Sequence, residues 1–183
     1  MSDSYLSDLV DAVENALSRA MVDLFLEFPE EFYFVVLVVF GEANAPYVSA
    51  WSKESLARRI LESEMPFEEA LLAYKWSYSE SPFYAYGDKH FKEVEHVLGR
   101  REGIDELSDD EWRPEFELRI GSLEEAMRRL DRRGVFGRGS ERLGLMINVE
   151  VMPPDSSNTV RAIRLNPPEA VKEWLKEAAE ADV

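Results

Sequence analysis

Leu6, Leu9, Val10, Val13, Leu17, Ala20 and Leu24 recur at steps of three and four. That spacing aligns side chains on one helical face and predicts a long amphipathic first helix, capped by Ser4 and stopped by Pro29. Phe32 to Phe40 then carries no polar group except one tyrosine hydroxyl and is dominated by β-branched and aromatic residues. Such a segment is expected as a central strand covered on both faces. Glu30, Glu31 and Glu42 flank it as charged gatekeepers, 41–44 reads as a turn, and 46–51 reads as an antiparallel partner.

Beyond the hairpin, Ser52 caps a short helix reaching about Ile60. Residues 66–86 are irregular and aromatic, with one possible strand around Leu71 to Trp76, and a helix follows from Asp88 to Arg100. In Pro114 to Ile120 the alternation of Phe116, Leu118 and Ile120 suits a strand, yet the segment runs into a helix, so both readings stay open. Ser122 and Glu125 form a capping box for a helix over 123–133, which Gly134 ends in a left-handed conformation. Leu145, Ile147, Val149 and Val151 alternate with Met146, Asn148 and Glu150, the pattern of a strand with one face in the core. Pro153 and Pro154 stop it, a short helical stretch follows Ser157, and Asn166-Pro167-Pro168-Glu169 opens a last helix. The elements add up to one α+β domain over residues 1–183. Its small, mainly antiparallel sheet has central strand 32–40, partner 46–51 and late strand 145–151, packed with about five helices.

Charge narrows the classes of function. The chain has 183 residues, with 21 Lys plus Arg against 37 Asp plus Glu and a formal charge of −16, which excludes binding of nucleic-acid phosphates as an expectation. Residues 1–66 carry 12 acidic and 4 basic side chains, 67–120 carry 14 and 7, and 121–183 carry 11 and 10, so the negative excess lies in the first two thirds. Cysteine is absent, which removes disulfides, thiolate metal sites and cysteine nucleophiles. The N-terminus lacks the basic region of a secretory signal, and Phe32 to Phe40 is far shorter than the roughly 20 residues of a membrane helix; a cytoplasmic protein is expected, with no membrane partner.

Motifs for chemistry are sparse. His90 and His96 would point about 120° apart on one helix, and the single Glu93-x-x-His96 step stands where a carboxylate di-metal site needs two; no metal site is expected. The glycine-rich stretch 134–144 follows a helix and leads to a strand, the reverse of a dinucleotide fingerprint, and it lacks the Gly-Lys-Ser/Thr of a P-loop. Ser140 has no nucleophile elbow around it. No cofactor and no catalytic residue are therefore assigned. Two features suit binding: the aromatics from Tyr74 to Phe91, which build core if buried and anchor an interface if exposed, and the acidic run Glu102 to Glu111 that leads to Trp112.

Ala126, Leu130-Asp131, Gly134, Phe136-Gly137, Glu141-Arg142, Ile147-Asn148-Val149, Asp155 and Leu165-Asn166-Pro167 resemble, in that order, the pattern of a bacterial domain-of-unknown-function family. The first helix, the strand at 32–40 and Trp76-Ser77 extend the likeness over nearly the whole chain. Such proteins often read Trp-Ser-Pro followed by a further Trp, whereas here Tyr78-Ser79-Glu80-Ser81-Pro82-Phe83 follows Trp76-Ser77. The resemblance implies a small cytosolic domain. Some such proteins are encoded in neighbourhoods suggestive of toxin and immunity systems, which implies an immunity-type role and no enzyme activity. Each motif also has a plain physical reading: Gly134 as a C-cap, Phe136 folding back on it, Glu141 and Arg142 tying the glycine loop to a neighbouring helix, and Asn166-Pro167 starting a helix.

The expectation is a non-enzymatic protein-binding domain that neutralises a basic bacterial toxin through an acidic, aromatic surface. Its contact candidates are Trp76, Tyr78, Tyr84, Tyr86, Asp109, Asp110 and Trp112. The alternative is an enzyme or small-ligand protein with a concave site near 134–144, using Arg138, Glu141, Arg142 and His90.

Overall fold

The apolar run forms the middle strand. In the computed structural model, which describes residues 2–180 apart from the side chains of Ser2, Asp3 and Asp109, β1 (Phe32–Phe40) lies between β2 (Tyr47–Ser52) and β3 (Met146–Met152). β2 returns antiparallel to β1, with Val36 opposite Ser49. β3 runs parallel to β1, with Phe34 opposite Met146 and Phe40 opposite Met152. The sheet is thus mixed and not mainly antiparallel, because alternation along 145–151 fixes which residues share a face and leaves strand direction open.

Val35, Leu37 and Val39 share one face with Val48, Ala50, Ile147 and Val149, beneath α1 (Ser2–Glu27), α4 (Lys92–Leu98) and α5 (Asp109–Arg133). Phe34, Val36 and Val38 face the other way with Trp51 and Met146, against α2 (Lys53–Glu62), α3 (Phe67–Tyr74) and α8 (Pro168–Glu177). Every β1 residue from Phe34 to Val39 is buried, at roughly 1.5–3 kcal/mol for each large side chain. β3 is likewise buried on both faces, so Asn148 and Glu150, expected toward solvent, lie inside.

The described residues form eight α-helices where about five were expected. Residues 71–74 belong to α3 and not to a strand: aromatic composition suggested the strand, but Ala70 and Tyr74, four apart, are the buried pair. The helix expected from Asp88 is a short 3₁₀ turn at Asp88–His90 followed by α4. Pro114 to Ile120 is helical, inside α5. The helix begins earlier than Ser122, at a capping box between Ser108 and Glu111, and runs through Pro114 because Ile120, Leu123, Met127 and Leu130 bury one face against the core. Ser122 lies mid-helix, its hydroxyl donating to the Leu118 carbonyl at 2.8 Å. Gly134 ends α5 at φ 82°, as expected. Then come α6 (Ser140–Leu143) and, after β3, α7 (Ser156–Leu165), whose first turn is capped by Asp155.

Both outer edges of the sheet are closed, one of them by side chains. Along β3, Asn166 accepts from Ile147 N–H at 2.9 Å and donates back to the Ile147 carbonyl at 2.6 Å. Asn158 does the same for Val151, at 2.8 and 3.2 Å, while Arg161 donates to the carbonyl of Val149 and Arg142 to that of Leu145. These amides and guanidiniums take the place of a fourth strand and leave no row of free edge groups for another chain to pair with. Along β2, the 77–86 segment supplies the cover: the Ser81 hydroxyl donates to Ala50 O and Tyr86 N–H to Val48 O, while the Trp51 indole and the Ser49 hydroxyl tie the segment down by donating to Ser77 O and Tyr78 O.

Candidate functional site

α3 carries Phe67, Ala70, Leu71, Leu72, Ala73 and Tyr74, apolar residues spread around the whole helix, and the fold buries only Ala70 and Tyr74. Leu71 packs half-buried against the same core, and Phe67, Leu72 and Ala73 face outward. Leu72 is 82% exposed and Phe67 60%, and at the neighbouring end of α2 Leu61 is 84% exposed, with Met65 also open to solvent. Residues 61–72 also hold Glu62, Glu64, Glu68 and Glu69 and no basic residue. The nearest arginines are taken elsewhere, Arg58 by Glu30 and Arg59 by Glu80, each at 2.8 Å.

Between α3 and the end of α8 lies a groove of about 430 Å³ lined by Leu71, Leu72, Trp76 and Ala178, with Glu68 and Glu177 at its rim. Lys75 closes its base, reaching Glu173 and Glu177 at 2.7 Å each and lying 5.2 Å from the Trp76 ring. Partial burial opposes the lysine's charge, but these two carboxylates outweigh it and hold the ammonium above its usual range. Trp76 Nε1–H donates to Glu177 at 2.9 Å, and Lys75 first, with this indole second, holds that carboxyl below its usual range. The groove is thereby fixed in shape, with an indole at its floor.

The expected contact residues divide among three places. Trp76 lines the groove, its ring packed edge-on against Tyr33 and Phe34. Tyr78 and Tyr84 join Tyr47 and Phe40 in a chain of rings with centroids 4.9–6.5 Å apart, beside the far end of β1; Phe40 and Tyr84 are exposed. Tyr86 sits with the opposite core, donating to Glu27 at 2.7 Å, and burial with that neighbour pushes its hydroxyl up to about 12. Asp110 and Trp112 stand in the first turns of α5, where Trp112 stacks on Phe116 at 4.9 Å. The Asp109 side chain lies outside the described residues. The acidic run is thus divided from Trp76, Tyr78 and Tyr84: Phe116 packs on one core, Trp76 and Tyr78 on the other. Part of that run has a local task, since Glu111 is held below its usual range by the Ser108 hydroxyl and backbone N–H it caps.

Sequence reasoning missed Leu61, Phe67 and Leu72. The available signal was an apolar content in 67–74 greater than one helical face can bury. It also missed the buried polar group beneath the tyrosines. Glu150, 5% exposed, lies near Asn148, Arg161, Glu180 and Tyr78; burial first, and the Glu180 carboxylate second, push its carboxyl up to about 8. The buried Tyr47 hydroxyl and Asn148 Oδ1 have no hydrogen-bond partner among the described residues.

The four polar groups of the alternative reading do not converge. Arg142 points inward to Asp131, Leu145 O, Leu165 O and Asn166, which ties the glycine loop to α5 and to the end of α7. Arg138 donates to Arg133 O at the end of α5, and Glu141 is exposed. His90 pairs with Asp23 of α1 at 2.8 Å, which lowers the Asp23 carboxyl. Among the described residues no group of three or more His, Asp or Glu is arranged to hold a metal ion, and no helix is long and apolar enough to cross a membrane.

One family model, described as a domain of unknown function (DUF4303), matches residues 13–167. No curated protein matches the chain, and no solved structure does.

Proposed function

The chain belongs to the DUF4303 family, and we propose that it acts by contact, as a non-enzymatic domain that covers a basic protein partner with an acidic, partly apolar surface. On this reading it is an immunity-type protein and its partner a basic bacterial toxin domain. The observation that carries the reading is residues 61–72, where four large apolar side chains stand in solvent among four glutamates with no basic residue between them. Apolar groups rimmed by charge are how protein interfaces are commonly built. Carboxylates raise the rate of encounter and select the partner, and apolar anchors hold it.

Charge placement supports the same reading. Arg129 and Arg133 of α5 pair with Asp11 and Glu14 of α1, so these two acids of the first helix are neutralised within the fold. The toxin–immunity part rests on the family resemblance set out from the sequence. The test is affinity capture from the native host at low and moderate salt, followed by titration of the recovered protein's activity against added chain. A stable basic partner, more readily lost as salt rises and inhibited by one equivalent, is expected. Recovery of no stable partner at either salt, or a partner whose activity the chain leaves intact, overturns the proposal.

A further inference from the structure

Resting on that contact reading, we infer that the groove between α3 and α8 is the seat for an amphipathic helix of the partner, whose apolar stripe lies on Leu71, Leu72 and Trp76 and whose lysines or arginines meet Glu62, Glu64, Glu68 and Glu69. Three observations select a basic helix. Among the described residues the sheet edges are already engaged, since side chains of Asn158, Asn166, Arg161 and Arg142 bind backbone groups along β3, and residues 77–86 take the Ala50 and Val48 carbonyls of β2. The remaining common mode for an apolar depression between two helices is a helix laid in the groove, read as anchors on one face. The rim then sets the sign of the occupant's charge. Glu68 borders the groove one turn before Leu72, Glu69 follows it in the chain, and Lys75, the one basic group among the described residues that line the depression, is already bound by Glu173 and Glu177.

The geometry also assigns roles. Leu72 is the anchor contact, because it is a large apolar side chain that lines the groove and has almost its whole surface to lose. Trp76 is the floor, preorganised by its bond to Glu177 and by the rings of Tyr33 and Phe34. Removing the Leu72 side chain takes away the transfer free energy of one buried leucine, which corresponds to roughly a tenfold loss of affinity. The glutamates act at longer range, so Glu68→Gln with Glu69→Gln should flatten the salt dependence of binding.

The experiment uses the full chain and a synthetic amphipathic helix of leucine and lysine as the probe. Its companions are the same residues scrambled to break the stripe, and a leucine–glutamate counterpart. Calorimetry gives the affinity, and heteronuclear NMR follows the Trp76 indole N–H. Expected are saturable one-to-one binding of the leucine–lysine helix, a shift of the Trp76 indole resonance, and weaker binding of the scrambled peptide. Leu72→Ser should weaken the probe roughly tenfold, while Ile163→Ser, at an exposed site on α7, should leave it unchanged. The inference falls if Leu72→Ser leaves the affinity intact, if the leucine–glutamate helix binds equally well, or if the shifts centre on the corner around Glu102 and Trp112. A captured partner that ignores Leu72→Ser and Glu68→Gln would sink this seat and leave the contact reading standing. Failure to capture any partner, with the probe still seated in the groove, would do the reverse.

Discussion

The buried Glu150 carboxyl gives stability a pH dependence opposite in sign to that of a salt-bridged acid. Folding takes this group from water to a site where burial and the nearby Glu180 carboxylate raise its pKa from the usual 4.5 to about 8, against the weaker pull of Asn148 and Arg161. Between those two values the unfolded chain has released a proton that the folded chain still holds, so unfolding becomes easier as pH rises. At about 1.4 kcal/mol per pH unit, the stabilisation fully present below pH 4.5 falls by roughly 5 kcal/mol once the pH has passed through 8. Glu150→Gln keeps the shape of the neutral acid and removes the titration. Urea unfolding of both proteins at about pH 5 and about pH 8 should show the variant gaining on the parent by roughly 3–4 kcal/mol between them. A difference between the two proteins that stays constant with pH would refute the reasoning, since it would mean that Glu150 titrates alike in the folded and unfolded chain.

Asn166→Ala strips the β3 edge of the bonds to Ile147 N–H and C=O and of those to Ala162 O and Arg142. A loss of about 3 kcal/mol, or roughly 6–12 °C in a thermal melt, is expected. Gly134→Ala places a Cβ at φ 82° and 2.6 Å from Arg138 Nε, so denaturant unfolding should show a cost of about 1–2 kcal/mol, with Gly134→Asn milder because asparagine tolerates the left-handed region. Leu72→Ser, at a side chain that packs on little within the fold, should change stability by less than about 0.5 kcal/mol in the same assay, which separates its part in binding from any part in folding.

What the sequence made legible was what local physics dictates. The run at 32–40 announced a strand buried on both sides, Gly134 a helix end, and Pro167-Pro168 a helix start, because each follows from backbone freedom or from an apolar content that must be covered. Direction and partnership were not legible. β3 alternates whether it runs parallel or antiparallel, and Asn148 and Glu150 looked solvent-facing because nothing local says that α7 will lie over them. Asn166 presented itself as a helix cap, but its side chain works across the chain on Ile147, a contact set by tertiary structure. At the candidate site, Trp76 was found by residue type. Leu61, Phe67 and Leu72 were missed because apolar residues are presumed to be inside, and the densest acidic run drew attention to a corner partly occupied with capping α5.

Hydrogen exchange of the chain, alone and in the complex recovered by capture, tests most directly the claim that this molecule works through its α2–α3 surface. Slowed exchange confined to α2, α3, the segment through Trp76 and the end of α8 is the predicted result. Protection centred on α5 and residues 102–112, or none anywhere, would contradict it.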